Sequence, residues 1–403
     1  MRILHTADWH LGRIFQGVSL VEDQAYTLRS LVEHIRETQP DVVVIAGDVY
    51  DRAVPPPDAV ALLDDVLSEI SLGLRVPILC IAGNHDSPDR LQIWGKMLQE
   101  HGVHVVGRIE RSSPISLVDE WGLVSFHLLP FAEPGTIKEV LRRAFLLKND
   151  GDLTSLQKNF LERVGKSHGT ALQAHIQDEA HRIPKNTRAI LVAHGSVDGS
   201  AESESERSLW NKAGHAVDPQ VLQPFSYTAL GHHHAPQTVV EGRVRYSGSL
   251  LPYSFSEADQ EKSVTLIDVN EEGSVSLETL PLAIRHLVRV EEGSLHSLLH
   301  KAKKTRSTDY LKVILDDNDA PVDPVGQLKP YWPNLLVIER RREKAWVQNH
   351  EKENVRIRRD SEKLSTVELL NDFFNEVQSP LSKKDEAFLL RVIQETEEVE
   401  RGQ

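Results

Sequence analysis

Five apolar runs in this chain close in the same manner. RILHTADWH (residues 2–10), DVVVIAGDVYD (41–51), VPILCIAGNHD (76–86), RAILVAHG (188–195) and YTALGHHH (227–234) each end on Asp, Asn or His, with or without a glycine. Val, Ile and Leu in close succession read as strands covered on both faces, the habit of parallel sheets. Residues 24–39 and 58–71 lie between the first three runs and have helical spacing; Tyr26, Leu28, Leu31, Val32 and Ile35 fall near one face of the first. Strand, helix, strand, helix, strand predicts an α/β layer joined by crossover connections. Open α/β sheets gather their ligands at the carboxyl ends of strands. One pattern thus limits both the fold and the position of any site.

The polar endings supply Asp8 and His10, Asp48 and Asp51, Asn84, His85 and Asp86, His194, and the triplet His232, His233 and His234. Carboxylate, imidazole and amide oxygen without cysteine suit Mn²⁺, Fe²⁺ or Zn²⁺ better than a cysteine-rich structural zinc. So many donors exceed the needs of one tetrahedral ion. They suit two ions about 3.5–4 Å apart, bridged by a carboxylate and a water or hydroxide, which polarise a phosphoryl oxygen and acidify the attacking water. Phosphoester hydrolysis is the chemistry that gains from both effects. Within the triplet, neighbouring side chains of an extended segment point to opposite faces, so His232 and His234 share a face and His233 turns away.

Net charge is 46 − 60 = −14. That is the wrong sign for a simple nucleic-acid binder, although bound metal ions and a basic partner can offset it locally. The single cysteine, Cys80, excludes an intramolecular disulfide and fits a reducing compartment. MRILHTADWH lacks a basic leader followed by a long apolar stretch, and no apolar run reaches about 18 residues. A cytoplasmic chain with no membrane span is expected.

The motifs D-x-H, G-D-x-x-D, G-N-H-D and G-H-x-H, in this order, resemble those of the calcineurin-like metallophosphoesterases. MRILHTADWHLG, GNHDS, HGSVDG and VRYSGSLLPYSFSE are similar, more narrowly, to the Mre-type DNA repair nucleases within that superfamily. The resemblance implies an α/β fold: a β-sandwich flanked by helices, with a small α+β second domain and a C-terminal helix pair. It implies Asp8, His10 and His234 on a first ion, Asn84, His194 and His232 on a second, and Asp48 bridging. His85 would lie beside the scissile phosphate without ligating, and Asp51 and Asp86 would orient loops and rings. Two divalent ions per chain, manganese foremost, follow from the same resemblance. So do a homodimer, an SbcC-type ATPase partner, and DNA as substrate: duplex ends for a 3′→5′ exonuclease, hairpins and single strands for an endonuclease. The chain has no G-x-x-x-x-G-K-[ST], so any ATP requirement would come from that partner.

Four segments are expected: a metallophosphoesterase domain over 1–281, a small α+β domain over 284–342, a charged linker over 343–363, and a helical partner-binding segment over 364–403. Residues 136–188 read as a helical insertion within the first. In the last segment Ser365 and Glu368 form a capping box, and Phe373, Phe374, Leu389 and Val392 exceed what a helix pair can hide alone. The acid-rich DGSAESESERS (198–208) reads as a solvated loop, and the basic cluster at 340–342 as a solvated face. His5, His34, His101 and His104 belong to no motif and read as core or surface residues. A small-molecule phosphodiesterase or nucleotidase would share every metal ligand but has no need of the long tail. A degenerate binding module fails because no expected ligand is missing.

Overall fold

The computed structural model describes residues 1–111, 113–148, 152–206, 216–317 and 321–341. Strand β1 (Arg2–Thr6) runs through the middle of a sheet because both of its faces are covered: Ile3 packs into one apolar cluster and Leu4 into another. A short hairpin, β2 (Ile14–Phe15) and β3 (Val18–Ser19), leads to helix α1 (Val21–Thr38) and strand β4 (Val42–Ala46). Then come α2 (Pro57–Ser68), β5 (Ile78–Ile81), the short α3 (Pro88–Leu91) and α4 (Gly95–Gln99), and β6 (Val103–Val106). β1, β4, β5 and β6 are parallel, as unbroken apolar runs require.

A second sheet begins with a hairpin of β7 (Ile115–Asp119) and β8 (Gly122–Leu129). Neither strand is among the five apolar runs of the sequence. The reason lies in their composition. β7 alternates half-buried with exposed residues, and β8 is interrupted by Ser125 and His127, which look polar but are buried. The expected helical insertion follows as α5 (Pro134–Lys148), α6 (Ser155–Val164) and α7 (His168–Ala180), with its own small core around Leu141, Leu161 and Val164. Then come β9 (Arg188–His194), β10 (Tyr227–Gly231), β11 (Gln237–Val240) and β12 (Val244–Tyr246), giving the order β11-β12-β10-β9-β8-β7. The chain finally returns to the first sheet: β13 (Ser263–Val269) lies antiparallel on β1, and β14 (Val275–Pro281) forms the edge, giving β14-β13-β1-β4-β5-β6.

The two sheets face each other. Val42, Val44 and Ala46 of β4 meet Ile190 and Val192 of β9 in the core between them, while Val43 and Ile45 face outward onto α1 and α2. This strict alternation makes each strand serve two cores at once. Leu191 and Ala193 face the opposite way, toward Leu172 and Ile176 of α7. The result is the helix-flanked β-sandwich that the resemblance implied.

A three-stranded sheet follows, from β15 (Val288–Gly293), α8 (Leu295–Lys304), β16 (Tyr310–Leu315), α9 (Pro324–Leu328) and β17 (Leu335–Arg340), with Trp332 fully buried in its core. It is tied to α1 through Asp23, which accepts from Tyr310 Oη at 2.9 Å and from His286 Nδ1 at 2.7 Å. Met1–Glu339 form one compact unit. The expected linker over 343–363 and helices over 364–403 lie outside the described residues. No helix among the described residues is long and apolar enough to cross a membrane.

Candidate metal centre

β1, β4 and β5 run parallel in the first sheet, as β9 and β10 do in the second, and the carboxyl ends of all five gather at one edge of the sandwich. The chain is bent hard there. Asp8, His10, Asp48 and His232 all hold positive φ, at 53°, 45°, 49° and 108°. Non-glycine residues rarely adopt this region, and such strain persists only where the surroundings enforce it. The turns after β1 and β4 enforce it on each other: Asp8 N donates to Gly47 O at 3.0 Å and His10 N to Asp48 O at 2.9 Å. Two glycines allow the approach. A Cβ on Gly83 would lie 2.1 Å from Asp48 Oδ1, and one on Gly231 would lie 1.9 Å from Ala46 O.

The donors converge in two groups. His10 Nε2 lies 3.0 Å from His234 Nε2. Asn84 Oδ1 lies 3.0 Å from His194 Nε2 and 3.2 Å from His232 Nδ1. Asp48 Oδ2 stands between the groups, 3.6 Å from His10 Nε2 and 3.5 Å from His194 Nε2. The Asp8 carboxylate gathers with Asp48 and His194 and accepts the peptide N–H of His232 at 2.9 Å. His85 packs edge-on against His10, with ring centroids 4.6 Å apart, and its Nδ1 bonds to Asp51 O at 2.8 Å. Asp51 itself pairs with Arg13 at 2.7 Å. Asp86 accepts the peptide N–H groups of Val49, Tyr50 and Gly83 at 2.9–3.1 Å, joining the loops after β4 and β5.

Burial sets the electrostatics. It drives the Asp8 carboxyl well above the usual range, with neighbouring Asp48 adding to the effect. Burial pushes Asp48 upward as well, but His194 outweighs it and holds that carboxyl well below the usual range. Burial resists charge on His194 too, yet Asp48 and Asp8 lift it to about 9. His10 and His232 are pushed well below their ordinary value, chiefly by burial. Asp86 rises to about 6 through burial and Asp48.

Such a site suits cations. Two ring nitrogens lie only 3.0 Å apart, close enough for both to ligate one cation. Two buried polar atoms, His10 Nδ1 and Asn84 Nδ2, have no hydrogen-bond partner among the described residues. An ion on His10 Nε2 would put the ring proton on Nδ1, toward Asp51 Oδ1 at 3.7 Å. Buried carboxylates also gain most from a nearby positive charge. The donor set therefore fits divalent metal.

The triplet separates by a different route from the one expected. β10 ends at Gly231 and His232 has positive φ, so the rings diverge through a bend and not through strand alternation. His233 is fully buried, its Nδ1 on Glu206 Oε2 at 2.7 Å and its ring against Tyr246. Glu206 also accepts the peptide N–H of His234 at 2.7 Å, and Ser205 Oγ meets His234 Nδ1 at 2.6 Å. The acid-rich loop is largely exposed over 198–204, as expected, but Ser205 and Glu206 depart from that reading and fold back onto the histidines. Sequence reasoning also passed over Glu257 and Lys262. Only long-range contacts bring these residues to the site, so no local spacing marked them.

Residues 1–236 match the calcineurin-like phosphoesterase family, and residues 284–378 match a family described as the Type 5 capsule protein repressor C-terminal domain. The chain is 32% identical over 340 residues to the SbcD component of nuclease SbcCD from Staphylococcus epidermidis, covering 84% of this chain and 85% of that one. Among solved structures, a Thermus thermophilus protein matches 69% of this chain and 98% of its own at 14% identity and a TM-score of 0.35. A dimetal phosphatase from Danio rerio matches 70% and 99% at 14% identity and a TM-score of 0.37. These two likenesses are too distant to carry weight. The chain belongs to the calcineurin-like phosphoesterases, metal-dependent hydrolases, and within them to the SbcD nuclease family.

Proposed function

We propose that this chain is the nuclease subunit of a DNA double-strand-break repair complex, hydrolysing DNA phosphodiesters with two divalent ions, preferably manganese. The observation that carries this reading is the place of Asp48, whose Oδ2 lies within 3.6 Å of both His10 Nε2 and His194 Nε2. One carboxylate thus faces both groups of donors. Asp8, His10 and His234 would hold the first ion, Asn84, His194 and His232 the second, and Asp48 would bridge. When bound, the ions polarise a phosphoryl oxygen and acidify the attacking water.

The chain's own contribution is orientation. His194 Nδ1 donates to Ala46 O at 2.9 Å, which leaves Nε2 as the ligating atom. His85 stands beside His10, held by Asp51 O, where it stabilises charge on the scissile phosphate or gives a proton to the leaving oxygen. A cleft of about 870 Å³ begins at Gly83 and Asn84 and runs past Phe131, Arg108 and Arg143, with room for a nucleotide beside the ions.

The named relative supports DNA as substrate and an SbcC-type ATPase as partner. In this reading the sandwich over 1–281 cuts and the small domain over 284–342 caps it. Residues 343–363 are a tether, and residues 364–403 bind the partner. Exonuclease action on duplex ends runs 3′→5′ with the partner's ATP, and hairpins and single strands are cut endonucleolytically. A homodimer in the cytoplasm completes the reading. Val60, Leu72, Ile93, Trp94 and Met97 expose apolar surface around α2 and α4, enough to suggest a paired face. A small-molecule phosphodiesterase is the weaker reading, because the match to the nuclease relative spans 84% of the chain.

The test combines the purified chain, Mn²⁺ and either linear duplex DNA, single strands, or nucleotides with bis-p-nitrophenyl phosphate, with and without an SbcC-type ATPase. Single-strand cleavage by the chain alone, and ATP-dependent digestion of duplex ends with the partner, are expected. Deleting residues 364–403 should remove only the second. Nucleotide turnover with every DNA substrate left intact overturns the proposal.

A further inference from the structure

His234 is the only one of the proposed ligands whose outer nitrogen leads to a buried ion pair among the described residues. Ser205 Oγ lies 2.6 Å from His234 Nδ1 and donates to Glu257 Oε1. A hydroxyl has one proton. Since a carboxylate can only accept, that proton goes to Glu257, and Ser205 Oγ must accept from His234 Nδ1–H. The ring is thereby fixed with Nε2 unprotonated, and Nε2 is the atom that faces His10.

The support behind Ser205 is fully enclosed. Glu257 Oε2 accepts from Lys262 Nζ at 2.6 Å, and both side chains are 0% exposed. Lys262 also donates to the backbone oxygen of His234 at 2.8 Å and to Ser249 Oγ at 2.9 Å. Glu206 holds the next point of the same loop, through the His234 peptide N–H and the His233 ring. By contrast, His194 rests on a neutral backbone carbonyl, and His10 Nδ1 stands 3.7 Å from Asp51 Oδ1. The support is therefore unequal among the proposed ligating histidines.

We propose that Ser205 and Glu257 are positioning residues for His234, and that the acid-rich loop carrying Ser205 is a working part of the first ion's site. The proposal rests on the dinuclear reading above. A histidine whose outer N–H is fixed by a carboxylate, here through a hydroxyl, is a better oriented and more basic ligand. Losing that support typically costs about 10–100-fold in metal affinity.

The experiment titrates Mn²⁺ into metal-free wild type, Ser205→Ala, Ser205→Thr and Asp48→Ala, counting ions by equilibrium dialysis and following His234 by ¹⁵N NMR of the imidazole nitrogens. Ser205→Ala should weaken one ion by about 10–100-fold and leave the other within about threefold, and Ser205→Thr should restore it. Metal-free wild type should show His234 protonated at Nδ1, and Ser205→Ala should lose that single tautomer. Unchanged affinities in Ser205→Ala, or a wild-type His234 protonated at Nε2, overturn the inference. The wild-type spectrum decides even if Ser205→Ala fails to fold. An Asp48→Ala protein that keeps both ions overturns the dinuclear reading itself, and the inference falls with it.

Discussion

The peptide N–H of His85 donates to Asp48 Oδ1 at 2.8 Å. The loop carrying the proposed proton-transfer histidine therefore hangs on the carboxylate proposed to bridge the ions. With Oδ1 holding the loop and Oδ2 facing His10 and His194, one side chain sets the distance between the two halves of the chemistry.

Replacing that side chain separates its two tasks. Asp48→Ala loses both; Asp48→Asn keeps an oxygen for the His85 amide but loses the bridging charge. Both should lower cleavage by about 10²–10³-fold. Only Asp48→Ala should expose the His85 amide to faster hydrogen exchange. Equal exchange in the two proteins would show that the loop does not depend on Oδ1.

His85→Ala should retain two ions per chain and lose about 10²–10⁴-fold in turnover, since its proposed work is proton transfer and not coordination. Metal analysis of the purified protein, read beside kcat, checks both halves. Loss of one ion would make His85 a ligand.

Gly83→Ala places a methyl group where Asp48 Oδ1 and the Asp48 peptide nitrogen already lie, 2.1 and 2.3 Å from the new carbon. Neither neighbour can swing away without moving the proposed bridge. Overpacking of this kind costs about 1–3 kcal/mol, and a shift of about 1 Å at a reacting centre costs about 10²-fold in rate. Urea denaturation and DNA cleavage should show both losses. Wild-type cleavage by this variant would mean that Asp48 tolerates displacement.

Away from the site, Asp119 accepts two bonds from Arg188, at 2.5 and 2.8 Å, with the Met1 amino group 2.8 Å away. The Arg188 contact holds the Asp119 carboxyl below the usual carboxylate range. A depressed carboxyl contributes stability above its unfolded value of about 3.9 and loses it as pH falls through the folded value. Asp119→Asn should therefore cost about 1.5–3 kcal/mol at pH 7, as for losing hydrogen bonds to a charged group. The difference in urea midpoint from wild type should shrink as the pH drops below about 4. A gap that stays constant to pH 2 would contradict the assignment.

The parts of this molecule visible in its sequence are those where chemistry and local order coincide. Asp8 and His10 follow β1 directly, and Asn84 and His85 follow β5 closely, so motif and strand end are read together. β8 was hidden because His127 reads as polar and finds its partner, Glu179, only across the fold, at 2.9 Å. Ser205, Glu257 and Lys262 were hidden for the same reason. Nor could hydrophobic spacing show that Asp8, Asp48 and His232 take positive φ, because contacts between loops impose it.

β13 closes the first sheet against β1, pairing Arg2 with Asp268. On the ribosome this pairing has a delay built in. At about 5–20 residues per second, the partner of the first strand is synthesised roughly 13–50 s after it. Until then β1 has a bare edge, and for most of that time His232 and His234 do not yet exist. Until His234 has been made, the proposed ligand set is incomplete. Both the last proposed ligand and the strand that closes the first sheet therefore come from the later half of the chain.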